Sequence, residues 1–263
     1  MPRRHAEKIA APAARRFLGE NAGLSEFGEP SPYDPIAALY DRWNQSVVED
    51  VGFYVEEAVV SRGPVLELGV GTGRIAVPIA LTGVRVIGLD SSAAMLELCS
   101  ERAQAAGVAG LIDLYIGDLR DPPLPEIAVP LVISPFRAFL HLLSDDERLH
   151  TLARIHDLLE PGGRFVFDVF APTEKDVTET HGRWIEREPG IEERADWNWA
   201  ERTLVLRVRG AEGETQMHLG WTSAEEWQEL LERAGLHVGA CYGWFDRQPY
   251  AGDEDMVFVA LRK

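Results

Sequence analysis

Beyond residue 60, short unbroken apolar runs are separated by segments with helical periodicity. The runs are Val65–Leu68, 84–89, 111–116, Val129–Ser134 and 164–170, and a helix-period stretch over 74–81 follows the first. This alternation predicts a parallel sheet wrapped by helices. The segment ahead of the fifth run predicts a helix of its own. Ser144 with Glu147 three residues on forms a capping box. Leu149, Leu152, Ile155, Leu158 and Leu159 share one helical face, and Pro161-Gly162-Gly163 ends it and turns the chain into the strand.

After Ala171 the rhythm changes. Residues 172–220 combine dense charge with Trp184, Trp197, Trp199 and a β-rich run at 203–208. They predict an antiparallel insertion of three or four strands. Thr222 with Glu225 then reads as a second capping box, for a helix that runs to Arg233 and stops at Gly235. Two long strands, 236–245 and 256–261, predict a closing hairpin. At the other end, residues 1–30 are basic, Ala-rich and punctuated by Gly and Pro, and read as a tail. Residues 31–263 then form one domain, with 172–220 inserted to cover a substrate.

Composition narrows the partners. A chain of 263 residues with 46% hydrophobic content can bury a sizeable core. Its formal net charge of −17 repels phosphate backbones, which disfavours nucleic-acid partners. Two cysteines far apart, Cys99 and Cys241, suggest a reducing compartment rather than a disulfide framework. No run approaches a membrane span of about 20 apolar residues, and the N-terminus lacks a signal-peptide core. A cytoplasmic location without membrane attachment is expected.

The chemistry concentrates at three strand ends. The strand Val65–Leu68, which carries Glu67, runs into Gly69-Val70-Gly71-Thr72-Gly73-Arg74, where alternating glycines let the backbone turn tightly and approach a ligand. Dinucleotide-binding turns are also glycine-rich, but their G-x-G-x-x-G spacing is not met here. Asp90 ends the second strand. A carboxylate there can accept from ribose hydroxyls, or it can merely begin the helix after Ser91-Ser92. Asp118, after Gly117 at the third strand, can accept from an adenine amino group or close an Asx turn. The three features lie at the carboxyl ends of successive strands, where open α/β sheets bind ligands.

With these residues in view, the chain resembles the class I S-adenosylmethionine (SAM)-dependent methyltransferases. The resemblance rests on VLELGVGTG (65–73), VIGLD (86–90) followed by Met95, YIGD (115–118) and LEPGGRFVFDV (159–169). It implies a Rossmann-like α/β fold: a seven-stranded, mostly parallel sheet with flanking helices, plus the small antiparallel β insertion. It also implies S-adenosyl-L-methionine as cofactor. Carried over by position, Gly69, Gly71 and Gly73 lie beside the methionine part and Glu67 helps hold its amino group. Asp90 takes the ribose, Asp118 the adenine amine, and Met95 packs on the adenine. Ser91, Leu119 and Ser134 complete the expected cofactor wall. Tyr33-Asp34 and Tyr40-Asp41 resemble the N-terminal segment that closes over the cofactor in many small-molecule methyltransferases. Tyr33 and Tyr40 then become candidates for the SAM carboxylate or the methyl group, and Arg42 a second carboxylate candidate and a candidate substrate contact, unless the segment is only an amphipathic helix packed on the sheet.

Methyl transfer is a direct displacement, to which a protein contributes mainly proximity and orientation. His141, just past the fourth strand, is the candidate base for a protonated nucleophile, or else a buried residue capping its loop. Trp184, Trp197, Trp199 and Trp244 are candidate substrate contacts able to enclose an amine cation, or members of the insertion's own core; His218, Trp221, Tyr242 and Tyr250 are further candidate pocket residues. Asp168 either faces a ligand or is a satisfied strand residue. Asp145 and Asp146 fall in a helix's first turn, where acids suit the dipole, and no metal site is expected. Ser134-Pro135-Phe136 is an incomplete form of the Asn/Asp/Ser-Pro-Pro-aromatic clamp of polymer methyltransferases. The expectation is therefore methylation of a small molecule, at nitrogen before oxygen. Alternatives are O-methylation, a nicotinamide-dependent oxidoreductase and a non-catalytic SAM-binding module.

Overall fold

The computed structural model describes residues 31–124 and 127–263; the predicted tail at 1–30 lies outside the described residues. The elements run α1 (Ala37–Trp43), α2 (Glu49–Ser61), β1 (Val65–Leu68), α3 (Ala76–Leu81), β2 (Val86–Asp90), α4 (Ala93–Ala105), β3 (Ile112–Ile116), β4 (Val129–Ser134), α5 (Asp145–Leu158) and β5 (Leu159–Phe170). They continue α6 (Glu174–Thr180), β6 (Trp184–Glu188), β7 (Ile191–Asn198), β8 (Thr203–Gly210), β9 (Gly213–Gly220), α7 (Ala224–Arg233), β10 (Leu236–Tyr242) and β11 (Asp255–Arg262).

Seven strands form one sheet in the order β10-β11-β5-β4-β1-β2-β3. The five from β5 to β3 pair in parallel, and β11 pairs antiparallel with both β5 and β10. Helices cover both faces, so β1 is buried at every position and reads as a continuous apolar run broken only by Glu67. The order reverses between β1 and β4, which opens a crevice at their carboxyl ends. The predicted seven-stranded sheet and the separate antiparallel insertion are both present; β6-β7-β8-β9 is a four-stranded meander.

Strand alternation divides the core. Phe165 and Phe167 point to one face, where their rings stack with centroids 4.7 Å apart, and Phe258 stacks on Phe167 at 5.2 Å. Phe139 and the fully buried Trp227 of α7 close this cluster. Val166 points to the opposite face, among Leu96, Ile79, Phe53 and Tyr54. Offset aromatic contacts of this kind add to the area each ring buries.

The structure moves several predicted boundaries. β5 begins at Leu159, because Leu159 already pairs with Val129; Pro161-Gly162-Gly163 is an irregularity inside the strand rather than its prelude. The cap of α7 is Ser223, whose box partner is Glu226, one residue later than predicted. The Thr222 hydroxyl donates to the same Glu226 carboxylate at 2.5 Å, alongside the Ser223 backbone N–H, while the Ser223 hydroxyl accepts from the Glu226 N–H. A further helix, α6, starts at a Thr173–Asp176 capping box within the predicted insertion.

Phe167 holds two stacks and an edge contact at once, so Phe167→Ala should lower unfolding free energy by about 3–5 kcal/mol in a urea titration. A loss below about 1 kcal/mol would mean that this face of the sheet is not the tight core described.

Candidate active site

The three loop glycines all take left-handed φ values: 79° at Gly69, 53° at Gly71 and 79° at Gly73. Each residue type is dictated locally. A Cβ on Gly69 would come within 3.0 Å of Ala138, and one on Gly73 within 2.7 Å of Cys99 Sγ. Gly73 therefore serves the packing of the turn on α4, while Gly69 and Gly71 line a cavity.

That cavity, about 250 Å³, lies at the tips of β1, β2 and β3. Asp90 occupies its middle. One Asp90 oxygen accepts from the Gly71 N–H and the other from the Ser92 N–H, each at 2.8 Å. Burial pushes the Asp90 carboxyl up to about 6 against the opposing pull of those N–H groups. Ser92 in turn caps α4 by accepting from the Met95 N–H. Ser91, Met95, Asp118 and Leu119 also line this cavity.

Glu67 and Ser134 lie behind the wall rather than on it. Ser134 is fully buried and donates to the Leu68 carbonyl at 3.2 Å. Glu67 is 2% exposed, its Oε2 has no partner, and burial raises its carboxyl well above the usual range. Asp118 is engaged by Arg120, a residue not anticipated from sequence. Arg120 donates to Asp118 through Nε and Nη2 and to Glu147 of α5 through Nη1. Burial raises the Asp118 carboxyl, but these bonds outweigh it and hold it below the ordinary value.

The segment 31–46 roofs the cavity. Its two Tyr-Asp pairs are seven residues apart, so they recur on one side of the turn and helix. The aspartates are tethers. Asp34 accepts from the Ser92 hydroxyl at 2.6 Å; Asp41 accepts from Thr72 at 2.6 Å and pairs with Arg102. The tyrosines face inward. Tyr33 Oη lies 2.8 Å from His141 Nε2, and the Tyr33 and Tyr40 rings meet edge to face. Burial, reinforced by Arg120, pushes His141 down to about 4, so its imidazole is neutral at neutral pH.

A second cavity, about 620 Å³, lies between the sheet tips and the insertion. Tyr33, Tyr40, Phe136 and His141 line both cavities and form the wall between them. Phe136 and Arg137 hold left-handed φ values of 56° and 63°. Asp168 makes this conformation possible: it accepts from both of their backbone N–H groups and from the Tyr54 hydroxyl. Of its two predicted readings, Asp168 has the satisfied one, although it also touches the larger cavity. The Arg74 guanidinium lies 4.8 Å from the Phe136 ring centre and forks onto Asp50 at 2.7 and 2.5 Å.

Three expected substrate contacts are elsewhere. Arg42 lines neither cavity; it is exposed and paired with Glu212 at 2.6 Å, tying α1 to the β8–β9 turn. Trp184 lies outside both cavities, under Arg209 at 3.9 Å, because on β6 it is the neighbour Ile185 that faces the cavity. Trp199 is half exposed in the β7–β8 turn and leans on Trp221. Trp197 and Trp244 do line the larger cavity. His218, Trp221, Tyr242 and Tyr250 do not.

The family model for a methyltransferase domain matches residues 65–163. A cypemycin N-terminal methyltransferase from a Streptomyces species is 26% identical over 251 residues, 89% of this chain and 99% of the relative. The CcbJ methyltransferase of Streptomyces caelestis superposes with a TM-score of 0.73 at 27% identity, covering 82% of this chain and 97% of that one. The SAM-bound amino pentose methyltransferase CalS10 of Micromonospora echinaspora shares the fold, with a TM-score of 0.58 at 22% identity over 86% and 95% of the two chains. The chain spans 57% and 61% of the length of two further methyltransferases it matches. The glycine turn, the acidic strand tips, the reversed β11 and the methyltransferase-domain match over residues 65–163 are all features that the chain shares with class I SAM-dependent methyltransferases, to which it is similar.

Proposed function

We propose that this protein transfers the methyl group of SAM to an amine nitrogen of a small molecule held in the larger cavity. The observation that carries this reading is the wall of Tyr33, Tyr40, Phe136 and His141, which both cavities share. The nucleophile must touch the methyl carbon, so these four side chains would border the meeting point of the two reactants, and holding reactants close and oriented there is the main contribution a protein makes to a displacement.

The residues of the smaller cavity fit SAM. Asp90 presents a carboxylate to a ribose at the tip of β2. Asp118 sits at the adenine end. Behind the glycine turn, Glu67 keeps a buried oxygen without a protein partner; an ammonium group would supply the missing donor. When bound, SAM supplies an electrophilic methyl group open to in-line displacement. Tyr33, Tyr40 and Phe136 exclude water from the shared wall. His141, neutral and bonded to Tyr33, can take the proton that a methylated amine releases. Support for nitrogen as the acceptor atom comes from this neutral imidazole and from the amine-directed name of the cypemycin relative. The charge of −17 supports a small molecule over a nucleic acid.

Asp90→Ala should weaken SAM binding by about 10- to 150-fold in calorimetry, the range for losing hydrogen bonds to a charged group. Wild-type affinity should also fall as pH drops through about 6, where Asp90 gains a proton, and Asp90→Asn should flatten that dependence. Unchanged affinity in Asp90→Ala would remove Asp90 from the site. His141→Ala and Tyr33→Phe should each reduce kcat by about tenfold or more while SAM affinity stays within about twofold. Because His141 titrates near 4, the rise of kcat/KM with pH should track the ionisation of the acceptor amine. An inflection near 6.5 that disappears in His141→Ala would contradict that assignment.

A further inference from the structure

The larger cavity is bounded on one side by the inner face of the insertion. Strand register places two rows of side chains there. Ala195, Leu206 and Met217 stand opposite one another across β7, β8 and β9, and Trp197, Leu204 and Leu219 form the next row. Both rows are apolar. Phe136, Phe170 and Met256 line the same space.

Most of the charged groups around this cavity already have partners. Glu193 is held by Arg187 at 2.6 Å and by the Trp43 indole at 3.1 Å. Glu188 accepts from Gln45, and Asp255 from Arg137. Asp176 caps α6 through Thr173, and burial together with the nearby Asp176 and Asp255 raises the Glu254 carboxyl. Asp168 is committed to Tyr54 and two backbone N–H groups. The Trp197 indole donates to Thr180 at 2.8 Å.

A guest therefore meets apolar surface backed by a polar rim that is largely satisfied within the protein. A polyhydroxylated guest would surrender its water without gaining comparable hydrogen bonds, which is unfavourable. An apolar guest would bury its surface on the two rows without disturbing any pair.

Building on the amine reading above, we infer that the acceptor is an amine with an apolar alkyl or aryl body, and that the apolar rows of β7–β9 select it against amino sugars of similar size. The nitrogen lies toward His141 and the shared wall, and the body lies along Leu206 and Trp197. Leu206 and Ile185, both half-buried, are then specificity-determining residues, and neither touches the cofactor cavity.

The test pairs phenethylamine and cyclohexylmethylamine with glucosamine and galactosamine. Release of S-adenosylhomocysteine is followed in turnover, and calorimetry on protein saturated with S-adenosylhomocysteine measures acceptor binding whether or not turnover occurs. The apolar amines should lead by at least about tenfold in kcat/KM or in affinity, the discrimination expected from a few methylenes in an apolar pocket. Leu206→Asn should erase most of that lead through KM, with SAM affinity unchanged, and Ile185→Asn at the β6 edge provides the same readout should Leu206→Asn fold poorly. Amino sugars equal to or better than the apolar amines, in turnover or in binding, would overturn the inference. If apolar phenols are methylated and apolar amines are not, the nitrogen assignment falls while the apolar-body assignment stands.

Discussion

One carboxylate organises the cofactor side of this molecule. Asp90 takes the Gly71 N–H on one oxygen and the Ser92 N–H on the other. It thereby joins the turn after β1 to the start of α4 across the tip of β2. Burial opposes the charge that these bonds favour, and the result is a carboxyl poised near 6 rather than locked in one state. The glycines matter because the same turn must take left-handed φ values while α4 and Ala138 press against it. Without Asp90 the turn would lose the acceptor that fixes its position relative to the cavity.

The larger cavity depends on the segment 31–46. Its aspartates reach down to Ser92, Thr72 and Arg102 of the cofactor half. Its other side chains reach across to the insertion: Arg42 to Glu212, Trp43 to Glu193 and Gln45 to Glu188. The Thr215 hydroxyl of β9 returns a bond to the Pro32 carbonyl. The segment is thus a strap between the two sheets, and its tyrosines stand where the two cavities meet. The loop after β4 supplies the rest of that junction, with Asp168 stabilising the left-handed backbone at Phe136 and Arg137.

Most of the fold was legible because its signals are local. β1 and β4 have the bounds that their apolar runs predict, and the Ser144–Glu147 capping box starts α5. Strand tips carrying Asp90 and Asp118 follow from the same reading. What was not legible depends on pairing across long sequence separations. Trp184 and Trp197 are alike as residues, but strand register turns only Trp197 into the cavity. Arg42 is explained by Glu212, 170 residues away. Arg120 gains its place from Glu147 in α5, which no local pattern announces. At the start of α7 the Ser223 hydroxyl accepts from the Glu226 N–H and makes the cap, whereas the adjacent Thr222 hydroxyl donates to the Glu226 carboxylate instead. By contrast, α6 offered a Thr173–Asp176 signal but no apolar stripe to accompany it.

The proposed reaction depends on the four residues that both cavities share. The most direct measurement is a crystal structure of the protein with S-adenosylhomocysteine. Adenosine in the smaller cavity, its ribose on Asp90 and its sulfur facing Tyr33, Tyr40, Phe136 and His141, is the predicted result. A nucleoside seated in the larger cavity, or a sulfur directed away from those four residues, would contradict it.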